Sequence, residues 1–564
     1  MLVALASGAG GVASCNLIVD ASSDSCESDE DCVNRPNTAC DTEKKVCVSL
    51  DECQSNSECT GDEICRPFSP RVCVSTKQGN CQQRYPDDEK IWRSDKAMLI
   101  GITSPILPGL PDEATGVSVV NGAKLAVDQF NKDNGVEGER PLALIICDDQ
   151  GERGPAEENG RTLAAIGVQS IIGPAFSGQT VDTANGTPDD TGAERPGTVD
   201  NDVLLISTSA TSPLVTGIDD VSPGCLKSCG NDAQCQAACP GLVWRTSPSD
   251  EIQGRALSAY FAKMESRIAL RGGVSTARPE LTVVVLYKND PYGDLLSEVI
   301  RTTLKVNGQD ATLQQGSTFF RQVYEDADPN VDGVQPRQQD IDDALAKNPD
   351  AVFLIGTGEV GSFLEMIEDG WTGAAEDRPF YFLADGGLST ATSVAAGPAR
   401  HRVRGTIPGT KSANFNAFTG DYLQKFPAGS DAGGPNVFGA AGAYDAVFLL
   451  AYSSVVAGDK PLTSWQLASG FGALISGQRI DVGATGIGPA NASLQQGGTV
   501  DFVGASGELQ FDTKTGEAPS EIQIWCIPQS LAGGEPSNIY YDGANIVNDA
   551  LDPGDDAAAA CPFE

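Results

Sequence analysis

The residues best suited to chemistry lie in short polar turns that follow apolar runs. Ile171-Ile172 runs into Gly173-Pro174-Ala175-Phe176-Ser177-Gly178, and Val203 to Ile206 runs into Ser207-Thr208-Ser209-Ala210-Thr211. Two further runs end in Lys288-Asn289-Asp290-Pro291-Tyr292-Gly293 and in Asp385-Gly386-Gly387. Hydroxyls, backbone amides and a few carboxylates gathered at strand ends suit the capture of a small polar molecule. They do not assemble a nucleophile with its base. The chain holds one histidine, His401, so multi-histidine metal centres are excluded and no Ser-His-Asp or Cys-His set emerges. No G-x-S-x-G, Walker A or kinase signature occurs. The reading is a binding protein without catalytic residues, cofactor or metal.

Two other motifs compete for attention. Gly356-Thr357-Gly358-Glu359-Val360-Gly361 spells G-x-G-x-x-G after a strand and before a helix, the pattern of a dinucleotide-binding turn. It lies mid-chain, outside the first strand–helix–strand unit, so an NAD-dependent enzyme is the lesser alternative. Asp328, Asn330, Asp332 and Gly333 spell the start of a calcium loop. The twelfth position is Gln339, where a bidentate Glu is expected, and an acidic surface turn is the preferred reading.

The elements that must hold these turns repeat. Between Met98 and Val215, near-continuous apolar strands alternate with helical segments, which predicts a parallel sheet covered on both faces. Ala123, Ala126, Val127 and Phe130 fall at helical spacing. The alternation restarts after Trp244: Leu281 to Tyr287 is a strand, Leu296, Val299, Ile300 and Leu304 mark a helix, and strands follow at Ala351–Ile355 and Phe380–Ala384. The fold class is therefore α/β, with two doubly wound parallel-sheet lobes joined by a hinge. Linkers are expected at Arg245–Asp250 and Arg404–Gly409. Tyr444 to Val456 reads as an amphipathic helix and Gly483 to Gly498 as an irregular glycine-rich loop.

Bulk numbers fit this layout. The 564 residues leave room for several domains. Lys plus Arg number 38 against 77 Asp plus Glu, a net charge of −39 that argues against binding nucleic acid. Seventeen cysteines argue for an oxidising, extracytoplasmic compartment. No segment reads as the roughly 18 apolar residues of a spanning helix.

Residues 1–14 read as a signal peptide. Val12-Ala13-Ser14-Cys15 resembles a bacterial lipobox, which makes Cys15 the expected lipid anchor, although no Lys or Arg precedes the apolar stretch. An ordinary signal peptide with Cys15 in a disulfide is the alternative. Residues 15–95 carry the anchor and a cysteine-rich module, with spacings C-x5-C-x7-C-x6-C and C-x5-C-x5-C-x7-C that suggest two small units of two disulfides each. Their polar intervals offer no core, so the bridges must hold them. Cys225, Cys229, Cys235 and Cys239 suggest a short helical hairpin held by Cys225–Cys239 and Cys229–Cys235. Cys81, Cys147, Cys526 and Cys561 remain, and Cys81–Cys147 with Cys526–Cys561 is one pairing of them that spacing alone does not fix.

Six motifs in order carry a resemblance to a known family. They are Ile100-Gly101-Ile102-Thr103-Ser104-Pro105, Asn121 to Ala126, Ile172-Gly173-Pro174, Ser209 to Pro213, Asn289 to Gly293 and Tyr444-Asp445-Ala446. Together they resemble the type I periplasmic binding proteins, and within them the leucine/isoleucine/valine-binding branch of ABC-transporter solute receptors. The resemblance covers Lys96 to Pro528. It implies lobe I at 96–245 and 406–512, and lobe II with a C-terminal tail at 246–405 and 513–564. It also implies an amino acid or related metabolite held between the lobes and delivered to a membrane permease whose ATPase is a separate subunit. A sensory ligand module that signals to a partner protein is the alternative. In that family the ligand carboxylate meets hydroxyls and amides of the first lobe, which points to Ser177, Ser209, Ala210 and Thr211. The ammonium meets an acid and an aromatic, which points to Asp385 and Tyr292. A second aromatic expected near Thr357-Gly358 is missing.

Overall fold

The computed structural model describes residues 52–547 apart from 111, 133–134, 190, 271–279, 326–335, 410–411, 431, 459–461 and 528–534. Between 26 and 49 it describes Cys26, Ser28, Cys32, 38–41 and 45–49. The lipobox at Cys15, the Asp328–Gly333 motif and Cys561 fall outside these residues. Cys526 is disulfide-bonded. The chain forms two compact units, residues 1–75 and 76–564.

The smaller unit is held as its composition requires. Cys26–Cys40 and Cys32–Cys47 form one crossed pair, and Cys53–Cys65 and Cys59–Cys73 form the next. Each half adds one antiparallel hairpin, Thr38–Asp41 with Val46–Ser49 and Glu63–Cys65 with Cys73–Ser75. The bridged residues lie 12 to 15 apart in sequence. In the chain-entropy view each bridge is worth about 3 kcal/mol.

The larger unit contains two sheets. The first has the order β6-β5-β4-β2-β3-β1, built from β1 (Cys81–Tyr85), β2 (Met98–Ser104), β3 (Leu142–Asp148), β4 (Ser170–Ile172), β5 (Leu204–Ser207) and β6 (Val243–Arg245). All pairs are parallel except the edge strand β1, which runs antiparallel to β3 with Cys81 bonded to Cys147. Cys81 thus belongs to the body and not to the cysteine-rich module. The second sheet has the order β8-β7-β9-β10-β11-β12-β13-β14. Its strands are β7 (Val283–Lys288), β8 (Phe319–Tyr324), β9 (Ala351–Ile355), β10 (Phe380–Leu383), β11 (Val403–Pro408), β12 (Ile522–Cys526), β13 (Glu535–Tyr541) and β14 (Ile546–Val547). It is parallel from β8 to β11 and antiparallel beyond.

Alternate side chains of a central strand go to opposite faces, so both faces need apolar residues. In β7, Val283 and Val285 enter one core while Val284 and Leu286 enter the other. The helices that cover these faces include α1 (Glu113–Asn131), α2 (Arg153–Ile166), α3 (Ser177–Asn185), α4 (Asp250–Ala269), α5 (Pro291–Thr303), α6 (Val360–Gly370), α7 (Ala440–Ala457) and α8 (Ala484–Gln495). At Gly101 of β2 a Cβ would fall 2.7 Å from Leu163 of α2, so close approach of helix and strand requires glycine there.

Three expectations change. The stretch expected as an amphipathic helix, α7, is buried almost all round and packs on α1 as the axis of the first core. Contrary to the expectation of no such segment, it is long and apolar enough by composition to cross a membrane, yet 89% of it lies inside the protein. The glycine-rich stretch expected as a loop contains α8, because Ala490 and Leu494 bury into that same core and tertiary packing outweighs low helix propensity. Most of the expected linker at Arg404–Gly409 is strand β11, buried throughout and paired with β10 and β12 in the second sheet. The chain passes between the sheets after β6, after β11, and between Phe511 of the first core and Ile522 of the second. The Cys225–Cys239 and Cys229–Cys235 bridges form as expected.

Candidate ligand-binding cleft

In each sheet the first parallel strand, β2 or β7, has later strands on both sides, so the order of connections reverses there. Ligands of open α/β sheets bind outside the carboxyl ends of strands at such points. A cavity of about 50 Å³ lies there, walled by turns from both sheets. Asp112, Phe176, Ser177 and Ser209 come from the first lobe. Asp290, Tyr292, Thr357, Gly358, Asp385 and Leu388 come from the second, and Val437 and Phe438 complete the wall.

The first wall is a bare helix start. Phe176 occupies the N-cap of α3 and offers no side-chain cap to the first-turn amides. Those amides and the helix dipole favour an anion. The Ser177 oxygen accepts the Ser212 amide (3.1 Å), which leaves its own proton to donate. The Ser209 hydroxyl donates to the Ala175 carbonyl (2.8 Å).

The second wall is acidic. Asp385 Oδ1 accepts from Gln253 (2.6 Å) and from the Tyr292 hydroxyl (2.8 Å). Burial pushes the Asp385 carboxyl up to about 6, against those two hydrogen bonds that pull it down. Burial and the neighbouring Asp385 charge push the Tyr292 hydroxyl well above its ordinary value, so it stays a donor. Asp250, fully buried, is pushed up by burial and by Asp385. The helix on this side, α5, is capped from within, since Asp290 accepts the Gly293 amide (2.7 Å).

The lobes touch across the cleft. The Gly358 amide donates to Asp112 (3.1 Å), and the Ser212 hydroxyl donates to the Pro291 carbonyl (2.8 Å). Four of the six anticipated contact residues, Ser177, Ser209, Tyr292 and Asp385, share the cavity. Ala210 and Thr211 lie behind the wall. The Ala210 amide donates to Ser207, its carbonyl accepts from Arg245 and Ser247, and the Thr211 carbonyl accepts the Asp250 amide.

Phe176 and Phe438 supply aromatic surface where the sequence offered none near Thr357. Phe176 was visible in its turn; nothing local marked Phe438 or Asp112.

The Gly356–Gly361 turn is already filled. Glu359 accepts the Thr357 amide (3.1 Å) and the Tyr324 hydroxyl (2.5 Å). Burial opposes its charge, but Lys288, Tyr324 and the turn amides hold the carboxyl down at about 2. An anion thus occupies amides that a pyrophosphate would need, and repels a second one.

The periplasmic binding protein family profile matches residues 100–519. Among curated relatives, a Leu/Ile/Val-binding protein, BraC3, of Rhizobium johnstonii is 33% identical over 139 residues, 24% of this chain and 33% of that protein. The chain thus spans about a third of the length of that relative. Among solved structures, the branched-chain amino acid transporter substrate-binding protein LivJ of Streptococcus pneumoniae, in complex with isoleucine, matches with TM-score 0.52 and 18% identity, covering 78% of this chain and 99% of that one. A solute-binding protein from R. palustris, in complex with 4-hydroxybenzoate, matches with TM-score 0.52 and 12% identity over 80% and 95%. At these identities the structures share the fold.

Proposed function

The chain belongs to the type I periplasmic binding proteins, in their Leu/Ile/Val-binding branch, and from that premise we propose that it captures a small amino acid between its lobes for an ABC transporter. The observation that carries this reading is the opposed polarity of one cavity. The bare start of α3 with Ser177 faces Asp385 and Tyr292, and Gln253 supports Asp385 from behind. A carboxylate suits the first wall and an ammonium the second. Fold alone does not choose the ligand, since structures of this fold hold isoleucine in one case and 4-hydroxybenzoate in another. The chain's own acid favours a ligand with an amine.

Membership of the family implies an extracytoplasmic location. Lobe closure would present a surface to a permease, with ATP hydrolysis in a separate subunit. Cys15 would carry the lipid that keeps the protein at the membrane. Calorimetric titration with α-amino acids, their amides, and aromatic and aliphatic carboxylates tests the ligand class. An α-amino acid should bind, and its deaminated analogue should bind far more weakly. Equal binding of benzoate-like acids without an amine would overturn the reading. Mass spectrometry of membrane-extracted protein should find acyl mass on a peptide beginning at Cys15, and a free thiol there would remove the anchor.

A further inference from the structure

Behind the ligand cavity lies a second chamber of about 20 Å³. Val437 and Phe438 line both spaces. The rear wall includes Thr208, from the turn after β5, and Thr246, from the passage after β6. Both are buried, at 1% and 5% exposure, and neither hydroxyl has a hydrogen-bond partner in the protein. Such hydroxyls are costly unless something satisfies them. Gly442 of α7 keeps the space open, since a Cβ there would stand 2.4 Å from the Thr246 hydroxyl. The volume exceeds the roughly 10–15 Å³ that one water needs by this measure.

We propose that this chamber is a hydrated rear extension of the ligand site, and that Val437–Phe438 is the partition that fixes how long a ligand side chain the cleft accepts. The proposal rests on the amino-acid reading above and deepens it. One water satisfies Thr208 and Thr246 in the chamber. In front of it, an apolar side chain runs along Phe176 and Leu388 and stops at Phe438. The native ligand class is therefore an α-amino acid with a compact side chain. A longer chain gains entry only when Phe438 is trimmed.

Two measurements test this. Calorimetric titration uses linear α-amino acids from alanine to norleucine. In the wild type, affinity should peak at a short member and fall at least tenfold by norleucine. Phe438→Ala should move the peak at least one carbon longer, and Phe438→Leu is read instead if the alanine variant is unfolded. An unchanged preferred length in a folded variant overturns the partition. Thr246→Val tests the water separately by its sign. Loss of a hydroxyl that holds a buried water lowers Tm, whereas loss of a dry orphan hydroxyl raises it, and a rise overturns the hydrated chamber. If no amino acid binds the wild type, the amino-acid reading fails on its own. The length series then runs on linear carboxylates and primary amines, and the partition stands or falls on whether Phe438→Ala shifts the preferred length there.

Discussion

The two lobes bring matching helix starts to one cavity and finish them differently. Helix α3 begins at Phe176 with its amides uncapped, whereas α5 begins at Asp290, whose carboxylate caps the helix from within. The same strand–turn–helix unit therefore gives an electropositive wall on one side. On the other it gives a wall that has met its own dipole and adds Asp385 besides. The difference teaches that a cap residue, worth about 1 kcal/mol to a helix, also decides whether that helix can receive a ligand anion. Withholding the cap from α3 leaves amides for the ligand. Supplying it on α5 leaves the second lobe free to present acid. A zwitterion then has one favoured orientation in the cleft.

Breaking the contrast outright should have the largest effect. Asp385→Ala removes the acid that would meet the ammonium, and calorimetry should show affinity about 100-fold weaker, in line with roughly 3 kcal/mol for a charge-assisted hydrogen bond. The melting temperature should stay near wild type, because the lost carboxylate is itself poorly solvated. Undiminished affinity would remove Asp385 from the site. Phe176→Asp makes the first wall imitate the second by capping α3 from within. Loss of binding to a similar degree, with Tm maintained or raised, is the expected pairing; retained binding would mean the α3 amides do not meet the ligand.

Titration of the second wall is next in size. The Asp385 carboxyl sits near 6 in the folded protein, above its ordinary value of about 3.8. A proton and an ammonium compete for it, so affinity should rise about tenfold from pH 5 to pH 7 and then level off. For the ligand-free protein the sign is opposite. A raised carboxyl contributes stability that is present below about 3.8 and is lost as pH rises through 6. Asp385→Asn should flatten both curves, and a pH slope that survives it would point to another group.

Weaker effects concern closure and single hydroxyls. Asp112→Ala removes the bond to the Gly358 amide across the cleft. Affinity should fall about fivefold, for roughly 1 kcal/mol, and small-angle scattering should report a more extended ligand-free protein. Ser177→Ala should cost a few-fold in affinity, since the α3 amides remain. A larger loss there than for Phe176→Asp would reverse the proposed order of importance on the first wall.

The sequence by itself determined the repeating units. Continuous apolar runs such as Leu142–Cys147 declare strands buried on both faces. The close spacing of Cys225, Cys229, Cys235 and Cys239 declares their pairing, because both are written within a few residues. It also declared the turns that hold Ser177, Ser209, Tyr292 and Asp385, since polar turn residues after an apolar run mark strand ends. Only the tertiary structure decided that Asp112 and Phe438, more than 300 residues apart in sequence, close one cavity with them. It also turned Ala210 and Thr211 behind the wall, made a helix of Ala484–Gln495, and buried α7 almost all round. Periodicity reports the local surface a segment offers. Which surface is covered, and which turn atoms are spent on neighbours, depends on partners that lie far away in the chain.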